Sequence, residues 1–195
     1  MNVENFIKEQ LVESSEIKLK IVQECSDDIK QSVNILVDAF KNGKKLLLCG
    51  NGGSAHALCH IAAEFMIRLS HDLDRPAIAA VALTTDTSNL TAGGNDIGYE
   101  NVFARNVEGL GNDNDVLIAI STSGNSGNVV KAVEKAKEKN VKVIGFLGGT
   151  GGKLLSMVDQ AIVVPSNSTQ RIQEGHITIA HIICELTERI LYDNK

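Results

Sequence analysis

Asp115-Val116-Leu117-Ile118-Ala119-Ile120-Ser121-Thr122-Ser123-Gly124-Asn125-Ser126 decides how this chain folds. An apolar run enters a loop with four hydroxyl side chains and a glycine, and a helical pattern from Val129 to Lys139 starts directly behind it. A short, continuously apolar run suits a strand covered on both faces. The stretch therefore reads as strand, polar loop and helix N-terminus. Unpaired N–H groups and the positive end of the helix dipole favour an anion at such a place. Hydroxyls add donors without adding charge, which suits a phosphate that must be both held and released. The spacing is not G-x-x-x-x-G-K-[ST], and no lysine stands in the loop to reach a terminal phosphate. A phosphorylated metabolite is favoured over a nucleoside triphosphate.

Similar strand patterns lie on either side, at 45–49, 77–83, 141–147 and 161–164, with 116–120 between them. Helical patterns separate them at 55–69, 87–90, 101–108 and 125–139, with a short turn or helix at 153–157 and a long last helix at 169–191. Five β-α units in alternation predict an α/β fold, a three-layer α-β-α sandwich around a five-stranded parallel sheet. Nothing in 1–195 reads as a linker, repeat or low-complexity tract, so one domain is expected. Residues 1–42 add N-terminal helices, broken at Ser26-Asp27-Asp28, which offers an N-cap to the second. The first of these helices is not needed to close a βαβ unit. Its Phe6, Leu11, Ile17 and Ile21 must be buried either on their own domain or on a second subunit.

At 195 residues, 43% hydrophobic and 22% charged, the chain has the makings of an ordinary globular core. A net charge of −5 argues against a nucleic-acid partner. The polar, acidic N-terminus has no apolar signal segment, and no apolar run approaches a membrane span, so a cytoplasmic protein is expected. Cys25, Cys49, Cys59 and Cys184 form no C-x-x-C pair and read as reduced thiols, with Cys49 and Cys184 buried as small apolar residues.

A second strand-to-loop junction, Leu46 to Cys49 into Gly50-Asn51-Gly52-Gly53-Ser54, lets backbone approach a ligand closely but is not G-x-G-x-x-G. Ligands of open α/β sheets bind beyond the carboxyl ends of the strands, where both loops would lie. Behind this loop, His56, His60 and Glu64 recur every four residues on one broad helix face. Such a set either binds a divalent metal or consists of a hydrogen-bonded histidine and an exposed charge. In the last helix, Gln173, Ile177 and His181 share one side, whereas His176 lies more than about 100° from His181 and cannot serve the same site. Asn95-Asp96 after Gly93-Gly94 reads as a turn or a sugar-hydroxyl contact, and 148–152 as a tight connection or a ligand loop.

Taken together, Cys49 to Ser54, His60 with Glu64, Gly94-Asn95-Asp96, Ser121 to Ser126, Arg171-Ile172-Gln173-Glu174 and His181 resemble the sugar isomerase (SIS) domain family over nearly the whole chain. Within that family the branch acting on heptose phosphates is the most similar. The resemblance implies an SIS-domain fold and the isomerisation of D-sedoheptulose 7-phosphate to D-glycero-D-manno-heptose 7-phosphate. It implies that Ser121, Thr122, Ser123 and Ser126 grip the phosphate with Ser54 nearby, and that Asn51, Gly52, Gly53, Asn95, Asp96 and Gln173 contact the sugar. It further implies acid–base roles for Glu64 and His181, and one zinc ion per subunit on His60, Glu64, Gln173 and His181. A homotetramer with active sites between subunits is also implied. Gln170 stands where some relatives carry Asp, so a carboxylate contact there is missing. The alternatives are a non-catalytic relative that associates with the bacterial replication initiator, an isomerase for another sugar phosphate, and a sugar-phosphate-sensing regulator. The first lacks the acid–base pair that Glu64 and His181 supply here.

Overall fold

Successive side chains of a strand point to opposite faces, so an apolar run feeds two cores at once. In the computed structural model, which describes residues 1–193, β1 (Leu46–Cys49) sends Leu46 and Leu48 into one core and Leu47 and Cys49 into the other. The same division holds in β3 (Val116–Ser121), where Val116, Ile118 and Ile120 oppose Leu117 and Ala119. With β2 (Ala80–Ala82), β4 (Lys142–Gly148) and β5 (Gln160–Val164) these form one parallel sheet in the order β2-β1-β3-β4-β5. Register pairs Leu46 with Val116 and Val116 with Lys142. The predicted three-layer α/β architecture and its five parallel strands are borne out.

The first face is covered by α1 (Val3–Glu24), α2 (Ser26–Lys41), α3 (Gly53–Met66) and α7 (Thr169–Tyr192). On the other face lie α5 (Val102–Leu110) and α6 (Gly127–Glu138), with α4 (Thr87–Asp96) at its margin. At the amino ends of the strands a polar staple ties β1 to β3. Asp115 accepts hydrogen bonds from the ammonium and backbone N–H of Lys45 and from the N–H of Asn112. Burial alone would raise the Asp115 pKa, but these donors outweigh it and hold the carboxyl below its ordinary value.

Several boundaries differ from the sequence expectation. The 77–83 run yields only the three-residue edge strand β2, whose one neighbour in the sheet is β1. The helix expected from 125 begins at Gly127, leaving Asn125 in the loop. Gly93 to Asp96, read as a loop, form the last turn of α4. That helix is capped by Asp86, which accepts from the Asn89 N–H, and its end closes as Ile97 N–H donates to Gly93. No Ser or Asp caps α2; the chain turns at Cys25, and the Ser26 hydroxyl donates back to Val22. Cys49 and Cys184 are buried as expected, Cys25 is buried as well, and burial pushes the Cys49 thiol up to about 12 and the Cys25 thiol up to about 11.

For α1, burial on its own domain is met in part. Ile17 and Ile21 are buried on the chain's own core, whereas Phe6 is 48% and Leu11 67% exposed. His176, on the opposite side of α7 from the candidate site, is a core residue. Its Nε2 donates to the Leu147 carbonyl at 2.9 Å and its ring lies 5.8 Å from that of Phe146. Burial lowers its pKa from 6.5 to about 4, although the hydrogen bond opposes the shift. The unfolded chain therefore takes up this proton first as pH falls. Stability worth up to ~3 kcal/mol, fully present above the unfolded value, is lost between about pH 6.5 and about pH 4. Thermal melts at about pH 7 and about pH 4.5 should show a smaller loss in His176→Gln than in the parent chain. Equal losses would exonerate His176.

Candidate active site

Strand order reverses between β1 and β3. From β1 the chain crosses outward to β2 through α3, and from β3 it crosses the opposite way to β4 through α6. Right-handed crossovers then require α3 and α6 on opposite faces, as found, and a crevice opens at the carboxyl ends of β1 and β3. Both loops singled out in the sequence flank it.

The loops are stitched together. Asn51 and Asn128 exchange two amide hydrogen bonds of 2.8 Å each, and the Tyr99 hydroxyl donates to Asn51 Oδ1 at 3.2 Å. Ser121 and Ser126 join through their hydroxyls at 2.9 Å. Ser126 occupies the N-cap of α6, yet its side chain caps no N–H of that helix. The first turn of α6 thus keeps donors for an anion. Behind the serine loop, 148–152 and the 3-10 turn after it form a brace. Leu154 N–H donates to Gly124 and Lys153 N–H to Asn125 Oδ1, both at 3.0 Å. The segment 148–152 and the turn behind it thus buttress the serine loop.

Across the crevice α3 and α7 lie side by side. His60 and His181 meet Nε2 to Nε2 at 2.8 Å, with rings nearly perpendicular. One nitrogen must carry the hydrogen and the other accept it. Glu64 Oε1 is 3.3 Å from His60 Nε2, and Glu64 Oε2 is buried with no partner. Gln173 packs its amide over Gly53: a Cβ there would stand 2.8 Å from Gln173 Nε2. Gly53, His56, His60, Gln170 and Gln173 line one open pocket of ≈ 500 Å³. So α3 and α7 bring together His60, Glu64 and His181 within one chain, with Gln173 beside them. Among the described residues no group of three or more His, Cys, Asp or Glu is already spread around a metal-sized centre.

Other predicted residues stand apart. Asn95 Nδ2 donates to Asp96 Oδ1 at 2.7 Å, and among the described residues no hydrogen bond joins either side chain to the loops or to the histidines. Asn51, expected at the sugar, has its side chain committed to Asn128 and Tyr99. Gln170 does line the pocket, where its Oε1 accepts from the Ser168 hydroxyl. Asn128 and Tyr99 were missed; only the position of Asn128 in the first turn after the serine loop hinted at a role.

The SIS domain profile matches residues 11–148, and the chain belongs to this family. Its relatives narrow the comparison. A phosphoheptose isomerase of Clostridium acetobutylicum is 49% identical over 99% of this chain and 98% of its own length. The structure of a phosphoheptose isomerase from Francisella tularensis superposes with a TM-score of 0.93 at 35% identity, covering 97% of this chain and 100% of that one. The phosphoheptose isomerase of Neisseria gonorrhoeae gives 0.88 at 40% identity, covering 94% and 97%. No helix among the described residues is long and apolar enough to cross a membrane.

Gly124 has φ +65°, and a Cβ there would land on the Gly151 carbonyl. Replacing it by Ala places a side chain in left-handed backbone, which costs ~1–2 kcal/mol, and drives the loop off its brace. Titration of Gly124→Ala with inorganic phosphate should show affinity down at least about tenfold. Parental affinity would mean that the loop's placement is immaterial to anion binding.

Proposed function

We propose that this chain is an isomerase that converts D-sedoheptulose 7-phosphate to D-glycero-D-manno-heptose 7-phosphate, the first step of nucleotide-activated heptose biosynthesis. The carrying observation is the meeting of His60, Glu64 and His181 beside the crevice, in a chain 49% identical to a phosphoheptose isomerase. The serine loop holds no acid or base, so it anchors the phosphate while the far end of the sugar is worked on.

In a ketose, C1 carries two hydrogens and C2 the carbonyl. We assign removal of a C1 proton to Glu64, whose Oε2 is buried and without a partner. The electron pair forms the C1–C2 double bond of an enediol as the C2 oxygen gains a proton. Proton return to C2 and loss of the C1 hydroxyl proton give the aldehyde, with no net change in oxidation level. His181 manages the oxygen protons, its ring fixed by His60. General acid–base help of this kind contributes ~10²–10⁴-fold. Asn95 and Asp96 would contact the sugar from α4.

Two imidazole nitrogens, a carboxylate with an orphaned buried oxygen and an amide fit zinc as donor types. His60, Glu64, Gln173 and His181 would hold one ion per subunit, which supplies Lewis acidity toward the substrate oxygens. The reading extends to a cytoplasmic homotetramer with sites between subunits, serving lipopolysaccharide or capsule synthesis. Its support is the exposed apolar surface on Phe6, Ile7 and Leu11 of α1 and on Ile182, Leu186 and Ile190 of α7.

Incubation with sedoheptulose 7-phosphate should yield the aldose, whereas a binding-only protein leaves it unchanged; a panel of sugar phosphates tests the choice of sugar. Glu64→Gln and His181→Gln, each purified and folded, should lose at least about 10²-fold in kcat. Full activity in either sinks that residue's role. Metal content after purification without added metal, with turnover before and after chelation, tests zinc: unchanged turnover in metal-free protein removes it from the mechanism.

A further inference from the structure

We propose that Arg75 is a positioning residue for this chemistry, clamping the end of α3 to α7 so that Glu64, beside His60, keeps its position relative to His181. The inference rests on the acid–base reading of those two residues. Arg75 lies in the connection between α3 and β2, outside the crevice and outside every motif in the sequence. Its side chain is fully buried and that of Glu188 is only 4% exposed. Arg75 Nε donates to Glu188 Oε2 at 2.8 Å. One terminal nitrogen donates to the carbonyls of Phe65 at 2.8 Å and Pro76 at 3.0 Å, and the other to the carbonyl of Glu64 at 2.7 Å.

The last carbonyls of a helix lack partners within it. Here a single guanidinium donates to two of them on α3, those of Phe65 and of Glu64 itself. On α7, Glu188 comes seven residues after His181, two turns along the same side of the helix and ~10 Å away. The two helices are thus tied at two levels, once by the clamp and once where His60, itself 3.3 Å from Glu64, meets His181.

Stability alone does not account for this pair. Well-packed apolar residues often replace a buried ion pair at no loss, because desolvation offsets the attraction. The pair does supply direction: the planar fork fixes several acceptors at once, which a lysine ammonium cannot reproduce. Misplacing a catalytic group by ~1 Å can cost ~10²-fold in rate.

Two folded variants test the clamp: Arg75→Lys, and the paired exchange of Arg75→Met with Glu188→Met, which leaves no buried charge unpaired. Expected are a melting temperature within a few degrees of the parent, kcat lower by about tenfold or more, KM within about twofold, and displaced imidazole nitrogen resonances of His60 and His181. Parental kcat with unmoved resonances in either folded variant overturns the proposal, as does a loss carried by KM with kcat intact. If the paired exchange does not fold, Arg75→Lys decides, since it keeps the charge. If the parent chain itself leaves sedoheptulose 7-phosphate unchanged, the proposed activity fails, and the imidazole resonances still decide the clamp.

Discussion

Everything at the candidate site depends on the handedness of strand connections. A right-twisted parallel strand returns to its sheet by a right-handed crossover almost without exception. Because β2 and β4 lie on opposite sides of the β1–β3 pair, α3 and α6 must leave from opposite faces. Their first turns then diverge over a gap that no helix fills. That gap receives two loops, the uncapped first turn of α6 and the amide pair joining the loops. No individual residue creates the crevice; the order of the strands does.

Binding and chemistry are divided between different kinds of structure. In the proposed reading, phosphate recognition falls to backbone and hydroxyls in a loop braced from behind by another loop. Proton transfer would fall to side chains on two helices, α3 and α7. The cost of this division is visible in the polar groups left over. Glu64 Oε2 is buried without a partner beside two imidazoles already in contact. Such atoms are not confined to the site, since Asn106 Nδ2, His176 Nδ1 and Thr187 Oγ1 are also buried without a partner.

How much of this could be read from the sequence followed the range of the interaction. The strands were legible because burial on both faces makes them continuously apolar, and the serine loop because its chemistry is contiguous. His60, Glu64 and His181 were legible as helix-face residues, but only the structure shows them meeting in one chain. Edge strand β2 came out shorter than its apolar run, with only three residues in register with β1. The helical end of α4 was obscured by Gly93-Gly94, which look like a turn until the Asp86 cap is considered. Arg75 and Glu188, 113 residues apart, carry no local pattern, and neither does the bond between Asn51 and Asn128.

That last bond has a consequence for inheritance. A carboxamide complements another carboxamide only when each offers its donor to the other's acceptor, as Asn51 and Asn128 do. Exchange of either for aspartate would set oxygen against oxygen, and exchange for an apolar residue would strand the survivor's half-buried amide. Neither position can drift alone. Though 77 residues apart, the two behave as a single locus, and through it the loop that follows β1 and the helix that follows β3 are bound to change together.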